Sequence, residues 1–467
     1  MHSIVLRNYV MIIVLLSVSI FHLPAAFAMA KRPPLEPKMP VVTVQAPASE
    51  IPVFKLSDLI EEALRANPEI DTFKERWKAG KARVWREMSW DDTMIGADFE
   101  GIPRGTADAG KNSDIEWMIS QKIPFPGKRF LKGRVAAKEA KMREADYRAK
   151  EREIVSEVKK AYYDYFLKEH EAGLHEGTKT ILEKLAQSAE SRYATGQTSY
   201  QEVLKIHTEL AVMTNEVAKH YQERAVALAR LNALLGRDPR EPLKIAIAMP
   251  DRELSFSKEE LMELALEKRP ELRAMTYGVE AAKTDVKSAW MDLLPDAQIR
   301  LEARKYSGEG RIREYDQFYG FEVPVFSMLG RVGKIKEKRA EKRAADGAWK
   351  NMKNMVLFEI EKMLAEFESN GRTVKVYETS AIPQAESAFK SALAEYEAGR
   401  GDFFKMMEAQ KTLTEFRHHY IEALVMREQS FADLERAVGV NLEGRNPMVS
   451  THSLDHDDPV SVGGIPQ

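Results

Sequence analysis

The clearest pattern in the chain is a hydrophobic stripe of helical period that occurs twice. Each stripe has apolar positions that step by three and four residues, which is the spacing of one face of a coiled-coil helix. The two stripes lie 203 positions apart and consist of Val203, Ile206, Leu210, Met213 and Val217, and of Met406, Ala409, Leu413, Phe416 and Tyr420. They predict long helices that pack through these residues, so we interpret the stripes as packing seams rather than as a binding site.

The stripes belong to a tandem duplication of the chain. Other landmarks recur at nearly the same separation, which is the signature of an internal repeat. The pairs lie 200 to 203 positions apart and are Pro68 with Pro270, Pro124 with Pro324, Gly196 with Gly399, and Gly236 with Gly439. The sequence therefore predicts two repeats of one structural unit, over residues 56–250 and 251–440.

Each repeat shows the same order of predicted elements. An amphipathic helix, over 56–90 and again over 258–294, leads into two short segments and then into two very long helical stretches. The first long stretch, 126–192, would extend about 100 Å at the rise of an α-helix. Its counterpart, 328–396, contains Pro383, which should kink it near its end. Such lengths are typical of long coiled coils or of an α-helical barrel.

The short segments alternate apolar and polar residues with the period of a β-strand. They cover 95–99, 115–119, 299–303 and 319–323, giving one hairpin in each repeat. A small hairpin packed against helices is one interpretation. Strands of about ten residues also suit a membrane barrel, which needs at least about eight strands. One chain supplies four, so several chains must contribute, and three chains would supply twelve. The charged residues that would then face a wet lumen are Asp98, Glu100, Glu116, Arg300, Glu302 and Arg304.

The predicted fold is therefore mainly α with β-hairpins. A duplicated long-helix unit forms an α-helical barrel, and a transmembrane β-barrel is shared between the chains of a trimer. The ends of the chain differ from the repeats. Arg7, an apolar run over 10–21 and a small-x-small site ending at Ala28 predict a signal peptide over 1–28, with an N-terminal membrane anchor as the alternative. Residues 29–55 are proline-rich and predict an extended segment.

The composition excludes several classes of function. The formal net charge of -2 leaves no basic field for nucleic acid. Cysteine is absent, which excludes disulfides and thiolate metal sites. No phosphate-binding loop, Gly-x-Ser-x-Gly elbow or His-Glu-x-x-His pair occurs, so we predict no enzyme and no cofactor. Adjacent His418 and His419 would point about 100° apart on a helix and make a poor metal pair.

The composition of the C-terminal segment, 441–467, predicts a disordered acidic tail. Metal binding by this tail is the alternative, because imidazole and carboxylate groups are suitable ligands for divalent ions. The residues concerned are His452, Asp455, His456, Asp457 and Asp458.

Two Tyr-x-x-Gly turns, Tyr193–Gly196 and Tyr396–Gly399, each precede a helix start and one of the stripes. They resemble the turns of the TolC-like outer-membrane efflux proteins, and the resemblance covers residues 56–440. It implies trimers that place a twelve-stranded barrel in the lipid of the outer membrane and a helical tunnel in the periplasm. It also implies a periplasmic adaptor that docks at the turns and an inner-membrane pump of the proton-driven type.

The resemblance also implies functional residues at the turns. A gate would use Tyr396, Lys405 and Glu408, although Lys405 stands where the family has an acidic residue and Gly401 where it has a basic one. That departure leaves Glu408 as the best candidate for a charge that faces the lumen. The residues implied to dock the adaptor are Thr195, Gly196, Gln197, Gly399, Arg400 and Gly401.

These features predict the exit channel of a tripartite efflux system, which passes small solutes without chemistry of its own. Residues 121–129, Gln-Lys-Ile-Pro-Phe-Pro-Gly-Lys-Arg, resemble the strand-to-helix junction of the CzcC-like heavy-metal branch, which favours heavy-metal cations as cargo. Two alternatives stay open. The chain would serve as the exit duct of a type I protein secretion system, or as a periplasmic coiled-coil adaptor.

Overall fold

The computed structural model describes residues 53–100, 114–323 and 325–443, except 247, 251 and 253. The order of elements within these ranges repeats once, as predicted from the duplication. In chain order the elements are β1 (Val53–Phe54), α1 (Leu56–Ala66), α2 (Pro68–Met88), β2 (Met94–Glu100), β3 (Asp114–Ile123), α3 (Lys128–Ala194), α4 (Tyr200–Leu234), β4 (Lys244–Ile245), α5 (Lys258–Lys268), α6 (Pro270–Met291), β5 (Asp296–Lys305), β6 (Glu314–Glu322), α7 (Met328–Val376), α8 (Ile382–Glu397) and α9 (Phe403–Val438).

Each repeat opens with two helices, so the prediction of a single helix over 56–90 and over 258–294 was wrong. The break falls at Asn67 and at Arg269, where the backbone is extended with ψ of 123° and 122°. A proline at the first position of α2 and of α6 forces this, because the residue before proline disfavours the helical conformation. Asn67 also caps α2, since its side-chain oxygen accepts from the Glu69 and Ile70 N–H groups.

The predicted hairpins join into one antiparallel sheet with the order β2-β3-β5-β6. Residues directly opposite each other on antiparallel strands share a face. The register pairs Asp98 with Glu116 and Glu116 with Arg304, so the even-numbered residues of all four strands lie on one face and the odd-numbered residues on the other. A separate parallel pair joins β1 to β4, which ties the start of the described chain to the end of the first repeat.

The long helices match the predicted stretches closely. α3 contains 67 residues, or about 100 Å of helix. In the second repeat the stretch is divided, because a π-helical turn at Tyr377–Ala381 separates α7 from α8. Pro383 is the second residue of α8 and has no N–H for the carbonyl of Thr379. A π turn therefore precedes Pro383 at the place where a kink was predicted.

The apolar residues collect in clusters along the helices. Every residue of the two stripes is buried or half-buried, so their interpretation as packing seams is confirmed. The described residues form three clusters. Their buried members include Leu59, Tyr163 and Leu231 in the first cluster, Leu261, Ile360 and Leu434 in the second, and Leu185, Ile206 and Met406 in the third, which lies near the helical turns.

Ordered contacts continue past the predicted end of the second repeat at residue 440. The Leu442 N–H donates to Glu435 Oε1 at 2.9 Å, and Glu443 Oε1 lies 2.8 Å from Lys159 Nζ. The predicted signal peptide, residues 29–52 of the proline-rich segment and residues 444–467 of the tail lie outside the described residues. In the ranges that the structure describes, no helix has both the length and the apolar character needed to cross a membrane.

Candidate functional site

The two predicted turns connect α3 to α4 and α8 to α9. In each turn a glycine takes the left-handed conformation that ends a helix, with φ of 73° at Gly196 and 71° at Gly399. The next helix is then capped by a side chain. Ser199 Oγ accepts from the Glu202 N–H at 3.3 Å, and Asp402 Oδ1 accepts from the Phe404 N–H at 3.0 Å. Ser199 and Asp402 are therefore the N-caps of α4 and α9.

The fold brings the two turns to the same end of the molecule. Residues of α3, α4, α8 and α9 pack together there in the third apolar cluster. All but one of the residues implied to dock an adaptor are exposed on these turns; Gly401 is half-buried, and a Cβ added to it would lie 2.6 Å from the Tyr396 backbone nitrogen. Of the predicted gate residues, Lys405 and Glu408 are exposed on the first turns of α9 and have no ion-pair partner among the described residues.

Tyr396, the third predicted gate residue, is only 2% exposed and joins the two helical hairpins. Its hydroxyl donates to Glu202 Oε1 on α4 at 2.7 Å. Arg192 Nη1 on α3 donates to the Tyr396 carbonyl at 3.3 Å, and the guanidinium carbon lies 5.0 Å from the centre of the tyrosine ring. Burial and the neighbouring Glu202 carboxylate raise the pKa of Tyr396 to about 12. The phenol is therefore protonated at neutral pH and available as a donor.

The sequence analysis did not identify Glu202 and Arg192 as residues that contact Tyr396. Glu202 stands three residues after Ser199, a spacing that reads as an ordinary capping box. In the structure its carboxylate is instead shared between Tyr396 and the Thr198 hydroxyl, which donates at 2.6 Å. The sequence contains one signal for Glu202, which is that the two Tyr-x-x-Gly turns occupy equivalent positions in the two repeats. If the two turns meet in the fold, Glu202, which follows the first turn, lies near the second.

At the other end of the helices, the sheet separates charged from apolar residues. The six charged residues predicted to face a lumen all have even numbers and share one face. Arg304 Nη2 pairs with Glu116 Oε2 at 2.6 Å across the strands. The opposite face carries apolar cross-strand neighbours such as Ile119 with Leu301, and several large side chains on it are exposed in the single chain. One face is thus suited to water and the other to an apolar surrounding.

A long helical body, a sheet with one wet and one apolar face, and a pair of packed turns are the parts of an outer-membrane channel. The chain matches the family described as outer membrane efflux protein over residues 110–237 and 261–440. It belongs to that family. Its members are channels that span the outer membrane and extend into the periplasm, and they work as trimers with a periplasmic adaptor and an inner-membrane pump. The predicted fold class, efflux function and location are confirmed.

Individual relatives have low sequence identity to this chain, but the similarity covers most of its length. The cobalt-zinc-cadmium resistance protein CzcC of Cupriavidus metallidurans is 23% identical over 68% of this chain and 75% of its own length. The pyoverdine export outer membrane protein OpmQ of Pseudomonas aeruginosa is 21% identical over 77% of this chain and 75% of its own. Among solved structures, the outer membrane protein VceC of Vibrio cholerae is 18% identical and superposes with a TM-score of 0.71 over 83% of this chain and 97% of its own.

Proposed function

We propose that three copies of this chain form one channel, in which the sheets join edge to edge in the outer membrane. The observation that carries this proposal is the separation of faces in the sheet. β2 and β6 each have one neighbouring strand among the described residues, so both edges offer unpaired backbone groups. Three four-stranded sheets supply twelve strands, and closure removes the edges. The even-numbered face then lines the lumen, and the odd-numbered face contacts lipid.

The paired turns are proposed as the periplasmic end, where an adaptor docks. Exposed Thr195, Gln197 and Arg400 supply hydrogen-bonding groups on a surface that lies next to the third apolar cluster. Lys405 and Glu408 are proposed to face the tunnel just inside this end, where three copies of each would form charged rings. The inner-membrane pump, proposed to be proton-driven, supplies the energy.

The cargo is proposed to be divalent heavy-metal cations, in keeping with the similarity to CzcC and with the motif at residues 121–129. OpmQ is named for export of pyoverdine, so the relatives differ in cargo. The test is a strain that lacks this chain and is grown with raised Zn²⁺, Co²⁺ or Cd²⁺. Loss of metal tolerance that is restored by the full chain supports the proposal, whereas unchanged tolerance with loss of export of another solute contradicts it.

Placing a charge on the apolar face of the sheet should prevent assembly. We expect Leu301→Arg to cost about 2–4 kcal/mol per chain, because an arginine near the middle of the bilayer faces hydrocarbon. The measurement is the amount of heat-resistant trimer that mild detergent extracts from outer membranes, by unboiled gel electrophoresis and light scattering. Leu301→Arg should reduce this species strongly.

Met118→Arg is the matched control for this test. Met118 lies at the same level of the sheet but on the even-numbered face, directly opposite Glu302. The same change to arginine there meets a carboxylate in a wet lumen, and the yield of trimer should stay near that of the unmodified protein. Equal losses from both variants, or a soluble monomer in the absence of detergent, would contradict the proposed barrel.

A further inference from the structure

A group of imidazoles and carboxylates lies where three helices meet, away from both ends of the molecule. Glu171 comes from α3, His220 and Glu223 from α4, and His418 from α9. The Glu171 side chain is 5% exposed and that of His220 is 12% exposed. Burying ionisable groups is unfavourable unless they are paired or bind a metal, so this cluster requires an explanation that neither the sheet nor the turns provide.

The distances from the His220 ring to the two carboxylates are those between the ligands of a small metal ion. His220 Nδ1 lies 3.4 Å from Glu171 Oε2 and 3.3 Å from Glu223 Oε2. This nitrogen is buried and has no hydrogen-bond partner within the described residues. Zn²⁺ with bonds of about 2.0–2.1 Å in a tetrahedral site holds its ligand atoms about 3.3–3.4 Å apart. The ring of His175 stacks on that of His220 at 4.4 Å, which fixes the orientation of the ligand.

We propose that Glu171, His220 and Glu223 bind one divalent transition-metal ion in the helical body of each chain. Imidazole and carboxylate ligands suit Zn²⁺ and Co²⁺ better than alkaline-earth ions. His418 Nδ1 lies 3.5 Å from the second oxygen of Glu171, on the side of a cleft of about 410 Å³ that both residues line. The cleft reaches the Glu171 side of the cluster, and we propose it as the route of the ion. Binding by the helical body does not depend on which cargo the channel exports.

Lys168 provides the sharpest test, because its ammonium already lies at the converging carboxylates. Lys168 Nζ is 2.9 Å from Glu171 Oε2 and 3.5 Å from Glu223 Oε2. One interpretation is that the ammonium alone completes the cluster. A metal ion would compete with it for the same oxygens, and the Lys168 side chain is 26% exposed, so it can swing into water. Removing the ammonium should therefore strengthen metal binding.

The experiment uses the full chain, purified in detergent and freed of metal with a chelator. Zn²⁺ binding is measured by calorimetry, and Co²⁺ binding by the visible absorption that a tetrahedral site produces. We expect one ion per chain. Glu223→Gln and His220→Ala should each weaken binding by at least about tenfold, and Lys168→Gln should tighten it. Circular dichroism checks the fold, and Glu223→Gln, at a half-exposed position, keeps the test valid if His220→Ala misfolds.

Two control variants separate this site from other histidines. His207 is exposed on α4, and its polar partner among the described residues is Glu190, so His207→Ala should leave Zn²⁺ affinity unchanged. The double change His452→Ala and His456→Ala removes the imidazoles of the tail and should also leave it unchanged. Absence of Zn²⁺ binding, loss of binding in the tail variant alone, or weaker binding by Lys168→Gln would overturn the proposal. None of these outcomes bears on trimer assembly, which the Leu301→Arg test measures.

Discussion

Replacing Glu428 with alanine should destabilise the folded chain by about 3 kcal/mol, because it leaves the largely buried Arg427 guanidinium without its carboxylate partner. The Glu428 side chain is 1% exposed. One of its oxygens lies 2.6 Å from Arg252 Nε, and the other lies 3.1 Å from Arg427 Nη2. The Tyr163 hydroxyl donates to the same carboxylate at 3.5 Å. The substitution therefore removes a partner shared by Arg252, Arg427 and Tyr163. Arg252 keeps a second carboxylate, since its Nη2 lies 2.9 Å from Glu443 Oε1.

The measurement is the thermal midpoint of the helical circular dichroism signal of the purified channel. Glu415→Ala is the control, since Glu415 is on the same helix but is exposed and forms a loose pair with Lys411 at 3.8 Å. Such a surface pair contributes about 0.2–1 kcal/mol, so its midpoint should hardly move. Glu428→Gln, which keeps hydrogen-bonding capacity without the charge, should fall between the two. Similar midpoints for Glu428→Ala and Glu415→Ala would show that the buried network does not stabilise the fold.

Most of the helices and strands could be predicted because their periods are local. The step of three and four residues in the stripe that begins at Val203 is set by the geometry of one helix. The alternation around Trp117 is likewise set by one strand, and the duplication confirmed both assignments independently. The single helix predicted over 56–90 failed for a local reason as well. Pro68 is compatible with the first position of a helix as well as with a kink, and the pattern of apolar residues does not distinguish the two.

Ion pairs between residues that lie far apart in the chain could not be predicted from the sequence. Lys128, which is 5% exposed, pairs through its ammonium with Asp296 Oδ1 at 2.7 Å and joins the strand-to-helix junction of the first repeat to the start of β5 in the second. These residues are 168 positions apart. With 30% of the chain charged, each lysine has many possible partners, and only the fold selects one.

The candidate metal site was missed for the same reason. His418 was judged only against its neighbour His419, because the two are adjacent in sequence. The fold instead places His418 beside Glu171, and Glu171 beside His220, across three helices. Spacing rules recognise ligands that one helix or one loop presents together. They do not recognise a site in which a ligand on α3 meets two ligands on α4 only in the folded chain, so the sequence predicted no metal site in this region.

Tyr396→Phe should shift the proposed gate towards its open state. The change removes the hydrogen bond from Tyr396 Oη on α8 to Glu202 Oε1 on α4, which has a length of 2.7 Å. A hydrogen bond to a charged group contributes about 1.5–3 kcal/mol, and every 1.4 kcal/mol changes an equilibrium about tenfold. If opening separates the α8–α9 hairpin from the α3–α4 hairpin, the closed state loses this contact in each of three chains. We therefore expect the time-averaged conductance in a planar lipid bilayer to rise at least about tenfold.

Tyr193→Phe is the matched control, because Tyr193 occupies the equivalent place in the first turn. Its side chain is 48% exposed, and its hydroxyl has no hydrogen-bond partner in the described part of the chain. Removing that hydroxyl should leave the conductance unchanged. An unchanged thermal midpoint of Tyr396→Phe would show that the higher conductance comes from the gate rather than from unfolding. If both variants conduct like the unmodified channel, the contact between the hairpins does not hold the tunnel closed, and the charged rings at Lys405 and Glu408 become the better candidates.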